Sequence, residues 1–499
     1  MFAVLDDPAQ AAVAFDYGNE CLERGEAAAA VAAFRHCVDR TPHHVASWFN
    51  LANAQMRHGR ASEAAESLVR CLRLAPDFGP GHVNLATALL RLGFLDDAAA
   101  IAAIAVRLLP DQAEAHACRG GILHHAGQHE AAIGAYRRAL SLDPGRAAIL
   151  SSLGNTLGAT GRADEGLAAH DRAIALAPND PVCRFNRSMT LLAAGHFAEG
   201  WAEYEWRWRR HGRGLEIAAP QWRGEPLEGR TILLHAEQGF GDTLQFCRYA
   251  PMVAQCGGHV LLEVQAPLAR LLANLPGVGQ IIARGERRPA FDLHCPLLSL
   301  PNAFRTTLET VPARLPYLYA DRAQTARWQA SLSGNGGLRV GLVWAGAPHL
   351  DDPEAMLLDQ RRSLPPNALA VLAHLPGAHF VSLQKDTPPP AIDGLVMTDV
   401  MAEMRDFADT AGLIGALDLI VAVDTSVAHL AAALGREVWL LSRYDGCWRW
   451  LRNRTDSPWY PGMTLFRQPR PHDWTTVLRD VRAQLEDRIV ACPIAHRRR

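Results

Sequence analysis

A 34-residue period runs without insertion through the first two-fifths of the chain and then stops. Its blocks begin at positions 11, 45, 79, 113, 147 and 181. The fifteenth slot is glycine every time: Gly25, Gly59, Gly93, Gly127, Gly161 and Gly195. The twentieth slot is always small, with Ala30, Ala64, Ala98, Ala132, Gly166 and Gly200. The thirty-second slot is Pro42, Pro76, Pro110, Pro144 and Pro178. A period of this length marks stacked helix-turn-helix units. Glycine ends the first helix where a left-handed backbone is needed. The small residue lets the second helix approach closely, and proline cannot continue a helix and so separates the units.

The period and its slots resemble the tetratricopeptide repeat, which implies an α-solenoid over residues 11–214. Repeats of this kind form a groove that binds protein, and their first helices line it. Asn50, Asn84 and Asn186 at slot 6, and Asn19, Asn53 and Asn155 at slot 9, would stand there, either holding a peptide backbone or as solvated polar positions. The sixth block turns aromatic, with Trp201, Tyr204, Trp206 and Trp208, followed by Trp222. Trp201, Tyr204 and Trp208 share one helical face. A solenoid must cover its last apolar face, so this reads as a docking face for the next domain, with a ligand-stacking platform as the alternative.

Length and charge bound the rest. A chain of 499 residues has room for two or three domains. A net charge of −2 provides no basic field for nucleic acid or an anionic membrane. The tail His496–Arg499 is too short to change that and reads as a solvated end. The ten cysteines are scattered with no C-x-x-C pair, which excludes zinc and thioredoxin-like readings and suits a reducing compartment. No basic, apolar leader opens the chain, and the apolar stretches contain Asp424, His429 and Arg436. A cytoplasmic protein without a membrane span is expected.

From about Gly229 the pattern becomes strand-helix alternation, which predicts parallel α/β sheets. Strands are predicted at 231–235, 260–264 and 291–295. Residues 331–338 read as a Gly-rich linker, after which strands are predicted at 339–344, 379–383, 419–423 and 437–441. The expected architecture is α + α/β, with two Rossmann-like domains at 229–330 and 338–487 after the solenoid.

Three clusters fall at strand ends, where ligands of open α/β sheets gather. The first is Glu237–Thr243, whose Gly239 and Gly241 would let backbone approach a ligand. Its Asp242 is either a general base for an acceptor hydroxyl or a helix N-cap. In the second, Asp424, Thr425 and Ser426 open a helix, offering hydroxyls and N–H groups to a phosphate. His429 stands one turn in, either facing a diphosphate or satisfied within the helix. The third is Trp344–His349 followed by Arg361, Arg362 and Ser363, where arginine either clasps a diphosphate or is a solvated basic loop.

Several strings in 230–485 resemble glycosyltransferases related to the bacterial heptosyltransferases (family 9), in the version fused behind tetratricopeptide repeats. They are AEQGFGDTLQF (236–246), HCPLLSL (294–300), VGLVWAG (340–346), DFADT (406–410), VDTSVAHL (423–430), WRWL (448–451) and DSPWYP (456–461). The resemblance implies a GT-B fold, with the acceptor on the first Rossmann-like domain and a nucleotide-sugar donor on the second. It also implies inversion at the anomeric carbon without metal or other cofactor. Asp242 falls on the family's base, and Asp424, Thr425, Ser426 and His429 on its donor-diphosphate segment. Gly239, Gly241 and Arg362 complete the expected donor and diphosphate contacts. The chain departs from the pattern at Ala347, at the acidic stretch Asp351, Asp352, Glu354 and Asp359, and at Gly446-Cys447, which interrupts the usual Asp-Trp-Arg-Trp. A non-catalytic scaffold with a degenerate transferase-like region is the competing expectation.

Overall fold

The computed structural model describes residues 8–210, 217–333, 336–349 and 352–491. Residues Met1–Asp7, positions 211–214 of the sixth block, Gly334 and Asn335 of the linker, Asp351, Cys492 and the basic tail lie outside the described residues. The chain divides into two compact units. One gathers the described residues up to Thr160 with Ala168–Pro178 and His349–Leu358. The other gathers Gly161–Leu167, Asn179–Pro348 and the described residues from Asp359 onward.

The 34-residue period appears as helix pairs. In order they are α1 (Pro8–Glu23), α2 (Ala27–Arg40), α3 (Val45–Arg57), α4 (Ala61–Leu74), α5 (Gly79–Arg91), α6 (Leu95–Leu108), α7 (Ala113–His125), α8 (His129–Leu142), α9 (Ala147–Ala159), α10 (Ala163–Leu176), α11 (Pro181–Ala194) and α12 (Phe197–Tyr204). Each slot-15 glycine sits between the helices of its pair with φ from 74° to 89°, the left-handed region that costs other residues about 1–2 kcal/mol. Ala30, Ala64, Ala98 and Ala132 are fully buried. A second small slot carries weight as well: Phe34 lies against Gly18, and Tyr136 against Gly120, too close for a Cβ.

A short helix, α13 (Arg207–Arg210), follows. The first sheet is fully parallel, in order β3-β2-β1-β4, with β1 (Thr231–His235), β2 (His259–Val264), β3 (Val278–Ala283) and β4 (Leu293–Pro296). Around it are α14 (Phe240–Phe246), α15 (Ala250–Gln255), α16 (Ala266–Leu272), α17 (Leu300–Ala303) and α18 (Arg322–Ser331). The second sheet, also parallel, has the order β10-β9-β8-β5-β6-β7. Its strands are β5 (Leu338–Val343), β6 (Ala378–Ser382), β7 (Met397–Asp399), β8 (Leu419–Val423), β9 (Val438–Ser442) and β10 (Met463–Arg467). In chain order, helices α19 (Pro353–Arg362), α20 (Phe407–Gly415), α21 (Ser426–Ala433) and α22 (Trp474–Ala491) fall between and after these strands. Every residue of β8 is buried, as a central parallel strand covered on both faces must be.

The predicted spans at 231–235 and 419–423 coincide with β1 and β8, and the other predicted strands are found shifted by one or two residues. Three strands were absent from the expectation: β3, β7 and β10. The linker expectation narrows, since α18 runs to Ser331 and β5 already begins at Leu338.

The aromatic end of the sixth block packs as expected of a docking face. Trp201 and Tyr204 are buried, and the Trp201 ring meets Phe246, Trp448 and Trp459 edge-on. Trp208 instead lies beside Arg207, whose guanidinium is 4.7 Å from its ring and 4.8 Å from that of Tyr204. Trp222 belongs to a separate contact, with Phe304.

Candidate functional site

The carboxyl ends of β1 and β8 each lead through a short loop into a helix, and the two helix starts meet. Gly241 in α14 makes the meeting possible: a Cβ there would stand 3.0 Å from His429 Cδ2 and 3.7 Å from Ser426 Cα. The glycine expected to admit a ligand therefore admits a neighbouring helix. Gly239 is the N-cap of α14, and its N–H donates to Asp242 Oδ2 at 2.9 Å. Asp242 is thus the third helical residue and not the N-cap, and it reaches back to the cap as the acidic half of a capping box does. Its other oxygen receives the Arg449 guanidinium, whose Nε donates to Gln245 Oε1 at 2.6 Å.

The second loop is ordered around His429, which is 4 % exposed. Nδ1 lies 2.8 Å from the Tyr460 hydroxyl, and the ring stacks on Trp450 at 5.4 Å. Asp424 Oδ1 stands 3.9 Å from Nε2, and Asp424 Oδ2 accepts from Trp450 Nε1 at 2.9 Å. Burial is the largest influence and drives the imidazole down to about 3, outweighing the Asp424 carboxylate that pulls the other way. His429 is therefore a neutral ring inside the protein, not a cation facing solvent. The Thr425 hydroxyl donates to the Val423 carbonyl at 3.2 Å and makes no cap hydrogen bond to α21. Ser426 begins α21 and is half-buried.

Arg362 joins this group from the third cluster. It donates through Nε to Asp359 Oδ1 at 2.8 Å and through Nη1 to the Asp424 carbonyl at 3.3 Å. Gly346 must be glycine, because Asp359 and Arg362 occupy the space a Cβ would need, and its N–H donates to Ser363 Oγ at 3.0 Å. The structure thus brings Gly239, Gly241, Asp242, Arg362, Asp424, Thr425, Ser426 and His429 into one linked set. Two side-chain hydrogen bonds run within the set, Gly239 to Asp242 and Arg362 to the Asp424 carbonyl, and the others go to Asp359, Val423, Arg449, Trp450 and Tyr460.

Sequence reasoning missed the residues that tie the set together. Arg449, Trp450 and Tyr460 lie in strings quoted above but carry no spacing signal of their own. Arg207, 4 % exposed, donates to both oxygens of Glu237 at 2.9 and 2.8 Å and to Glu205 at 2.9 Å. Gln238 Nε2 donates to the Tyr204 hydroxyl at 3.1 Å, so the sixth block grips the loop that carries Asp242. Asp406 of the DFADT string caps α20 and forms a two-point pair with Arg270 of α16.

In the first unit, the asparagine slots pair between repeats. Asn50 Nδ2 donates to Asn19 Oδ1 at 2.9 Å, and Asn84 Nδ2 to Asn53 Oδ1 at 2.6 Å. A surface pocket of about 660 Å³ lies among α4, α5 and α6, with Val69 and Phe94 exposed in it. Among the described residues, no helix is long and apolar enough to cross a membrane. No group of three or more His, Cys, Asp or Glu is placed to hold a metal ion among them either.

Comparison with protein families bears on the first part of the chain. Residues 6–77, 83–147 and 132–181 match the tetratricopeptide repeat family. Protein FlbA of Caulobacter vibrioides is 26% identical over 302 residues, 55% of this chain and 49% of that protein. The chain therefore spans about half the length of this relative. A thermophilic tetratricopeptide-repeat protein of Thermus thermophilus is 25% identical, covering 36% of this chain and 99% of its own, with a TM-score of 0.34. YrrB, described as a TPR protein with an unusual peptide-binding site, is 21% identical over 36% of this chain and 90% of its own, with a TM-score of 0.29. The N-terminal part of this chain carries tetratricopeptide repeats, and a parallel-sheet α/β region follows them.

Proposed function

We propose that the chain is an inverting, metal-independent glycosyltransferase of GT-B layout, which moves a sugar from a nucleotide-sugar to an acceptor hydroxyl. The observation that carries this reading is the meeting of two strand-end loops from different parallel sheets. One holds Asp242, the other the start of α21, and Gly241 lies directly against His429. Asp242 accepts the acceptor's proton as its oxygen attacks the anomeric carbon from the face opposite the leaving diphosphate. Each Asp242 oxygen already has one donor, Gly239 N–H or Arg449, and each keeps a further lone pair for the substrate proton. Charge on the leaving diphosphate is met by the N–H groups at the start of α21 and by Arg362. His429 acts from beneath, positioning Asp424 and Gly241 and not touching the ligand. The repeats select the acceptor, a protein or glycan. Their paired asparagines hold a peptide backbone with the amide atoms left over from the Asn19–Asn50 and Asn53–Asn84 bonds.

A second reading, a binding scaffold without catalysis, draws support from the engagement of both Asp242 oxygens. Asp242→Asn separates the two. In release of nucleoside diphosphate from a panel of nucleotide-sugars, the transferase reading expects a loss of about 10²–10⁴-fold with nucleotide binding retained. Equal release by the variant and wild type would remove Asp242 from the base role, and no release by wild type from any of the panel would favour the scaffold.

A further inference from the structure

The loop after β9, Arg443–Cys447, is ringed by arginines. Arg443 Nε donates to Asp445 Oδ1 at 2.6 Å, and Arg361 Nη1 lies 2.9 Å from Asp445 Oδ2. Arg452 donates to the Tyr444 and Asp445 carbonyls, both at 2.9 Å. Arg467, the last residue of β10, donates to the carbonyls of Trp450 at 2.5 Å and Arg454 at 3.2 Å. Its Nη1 is 3.1 Å from where a Cβ of Gly446 would stand, so it points at the same loop. Among the described residues, Asp445 is the one carboxylate paired within this ring, with Arg361 and Arg443, while Arg452 and Arg467 reach backbone carbonyls.

Unpartnered donors mark the same place. Gln468 is 5 % exposed, and its Oε1 accepts from Tyr444 N–H at 3.0 Å, while its Nε2 has no partner among the described residues. Turning the amide over would set two donors face to face, so the free group is the NH₂. Arg467 Nη1 and Arg361 Nε are likewise buried without an acceptor. Burial, with Arg452 and Arg454, holds Arg467 down at about 10, and burial also lowers Arg361 and Arg452. All of them stay charged at neutral pH. Buried N–H donors without an acceptor are costly, and four arginines with one carboxylate among them leave a positive excess that calls for an anion with two or more charges. A carboxylate brings only one. Guanidinium forks match the paired oxygens of a phosphoryl group, and the cluster stands at the carboxyl edge of the six-stranded sheet, where ligands of such sheets bind.

We infer that Arg361, Arg443, Arg452 and Arg467, with the Gln468 amide, form a subsite for a phosphoryl dianion, either a phosphate monoester or a diphosphate. This stands whether or not the chain transfers sugar. Isothermal titration of the full chain with inorganic pyrophosphate, inorganic phosphate and UDP, in a chloride buffer of constant ionic strength, tests it. Pyrophosphate should bind saturably. Arg452→Gln/Arg467→Gln and, separately, Arg361→Gln should each weaken it by about tenfold or more. Arg327→Gln, which removes a surface pair with Glu403, should leave it unchanged, and circular dichroism melts establish that each variant folds.

The two sources of the phosphoryl group separate in the same titrations. If the group belongs to a nucleotide, UDP binds and weakens in parallel with pyrophosphate in the arginine variants. If it belongs to a phosphorylated acceptor, pyrophosphate and phosphate weaken while UDP binding is unchanged. No saturable pyrophosphate or phosphate binding by wild type, or equal binding by wild type and all arginine variants, would overturn the subsite. Asp242→Asn should bind pyrophosphate as wild type does, so failure of the transfer reading leaves this result intact.

Discussion

At His429 burial defeats an adjacent carboxylate, and the outcome has a measurable sign. The folded ring sits at about 3 against an ordinary 6.5. His235, buried beside His294 with its Nε2 3.1 Å from His294 Nδ1, is held at about 3 as well, chiefly by burial. Because the unfolded chain binds protons first as pH falls, this stability is complete above about 6.5 and is lost as pH drops toward 3. The slope approaches at most about 1.4 kcal/mol per pH unit for each such histidine. Urea unfolding should show falling stability between about pH 7 and pH 5. The His429 ring resonance should not titrate in that range, and a ring titrating near 6.5 would contradict the burial. The DTS-x-x-H spacing was legible as a helix opening, but the ring's position beneath Gly241 was not. That contact joins two segments nearly two hundred positions apart and leaves no local pattern.

Helices and strands were legible in proportion to how strongly burial patterned them. β1 and β8, inside their sheets, are continuous apolar runs and were found at their observed limits. The missed strands β3, β7 and β10 are all at sheet edges. An edge strand has one neighbour and a more open face, so β3 tolerates exposed Gly279 and Gln280 and loses the apolar signature. Two glycines test the two different demands placed on this residue. Gly59→Ala meets no neighbouring atom, so its cost is backbone strain alone, about 1 kcal/mol or slightly more. Gly241→Val forces α14 and α21 apart and should cost about 1–3 kcal/mol. It should also weaken nucleotide binding, which Gly59→Ala leaves untouched. Urea unfolding and nucleotide titration of both variants check this. A Gly241→Val protein with wild-type stability and binding would show that the helix contact is not required.

On the scale of the whole chain, sequence and structure agree on the order of parts: paired helices first, then two parallel sheets. The repeat period was legible because each repeat has the same slots to fill. The α/β site was legible only in part, since its glycines and acids announce strand ends while Arg449, Arg207 and the arginine ring act through distant partners. A net charge of −2 conceals that ring, because charge summed over 499 residues says nothing about where it gathers. The central proposal is a nucleotide-sugar site at the start of α21. Thermal unfolding with UDP, GDP, ADP, CMP and dTDP, on wild type and on Thr425→Asp, tests it most directly. Aspartate is a favourable N-cap, so the variant should keep the helix while its charge repels a diphosphate. One nucleotide at about a hundred times its dissociation constant should stabilise wild type by about 2.7 kcal/mol, with the effect lost in Thr425→Asp. No stabilisation by any of the five, or equal stabilisation of the variant, would contradict a donor site there.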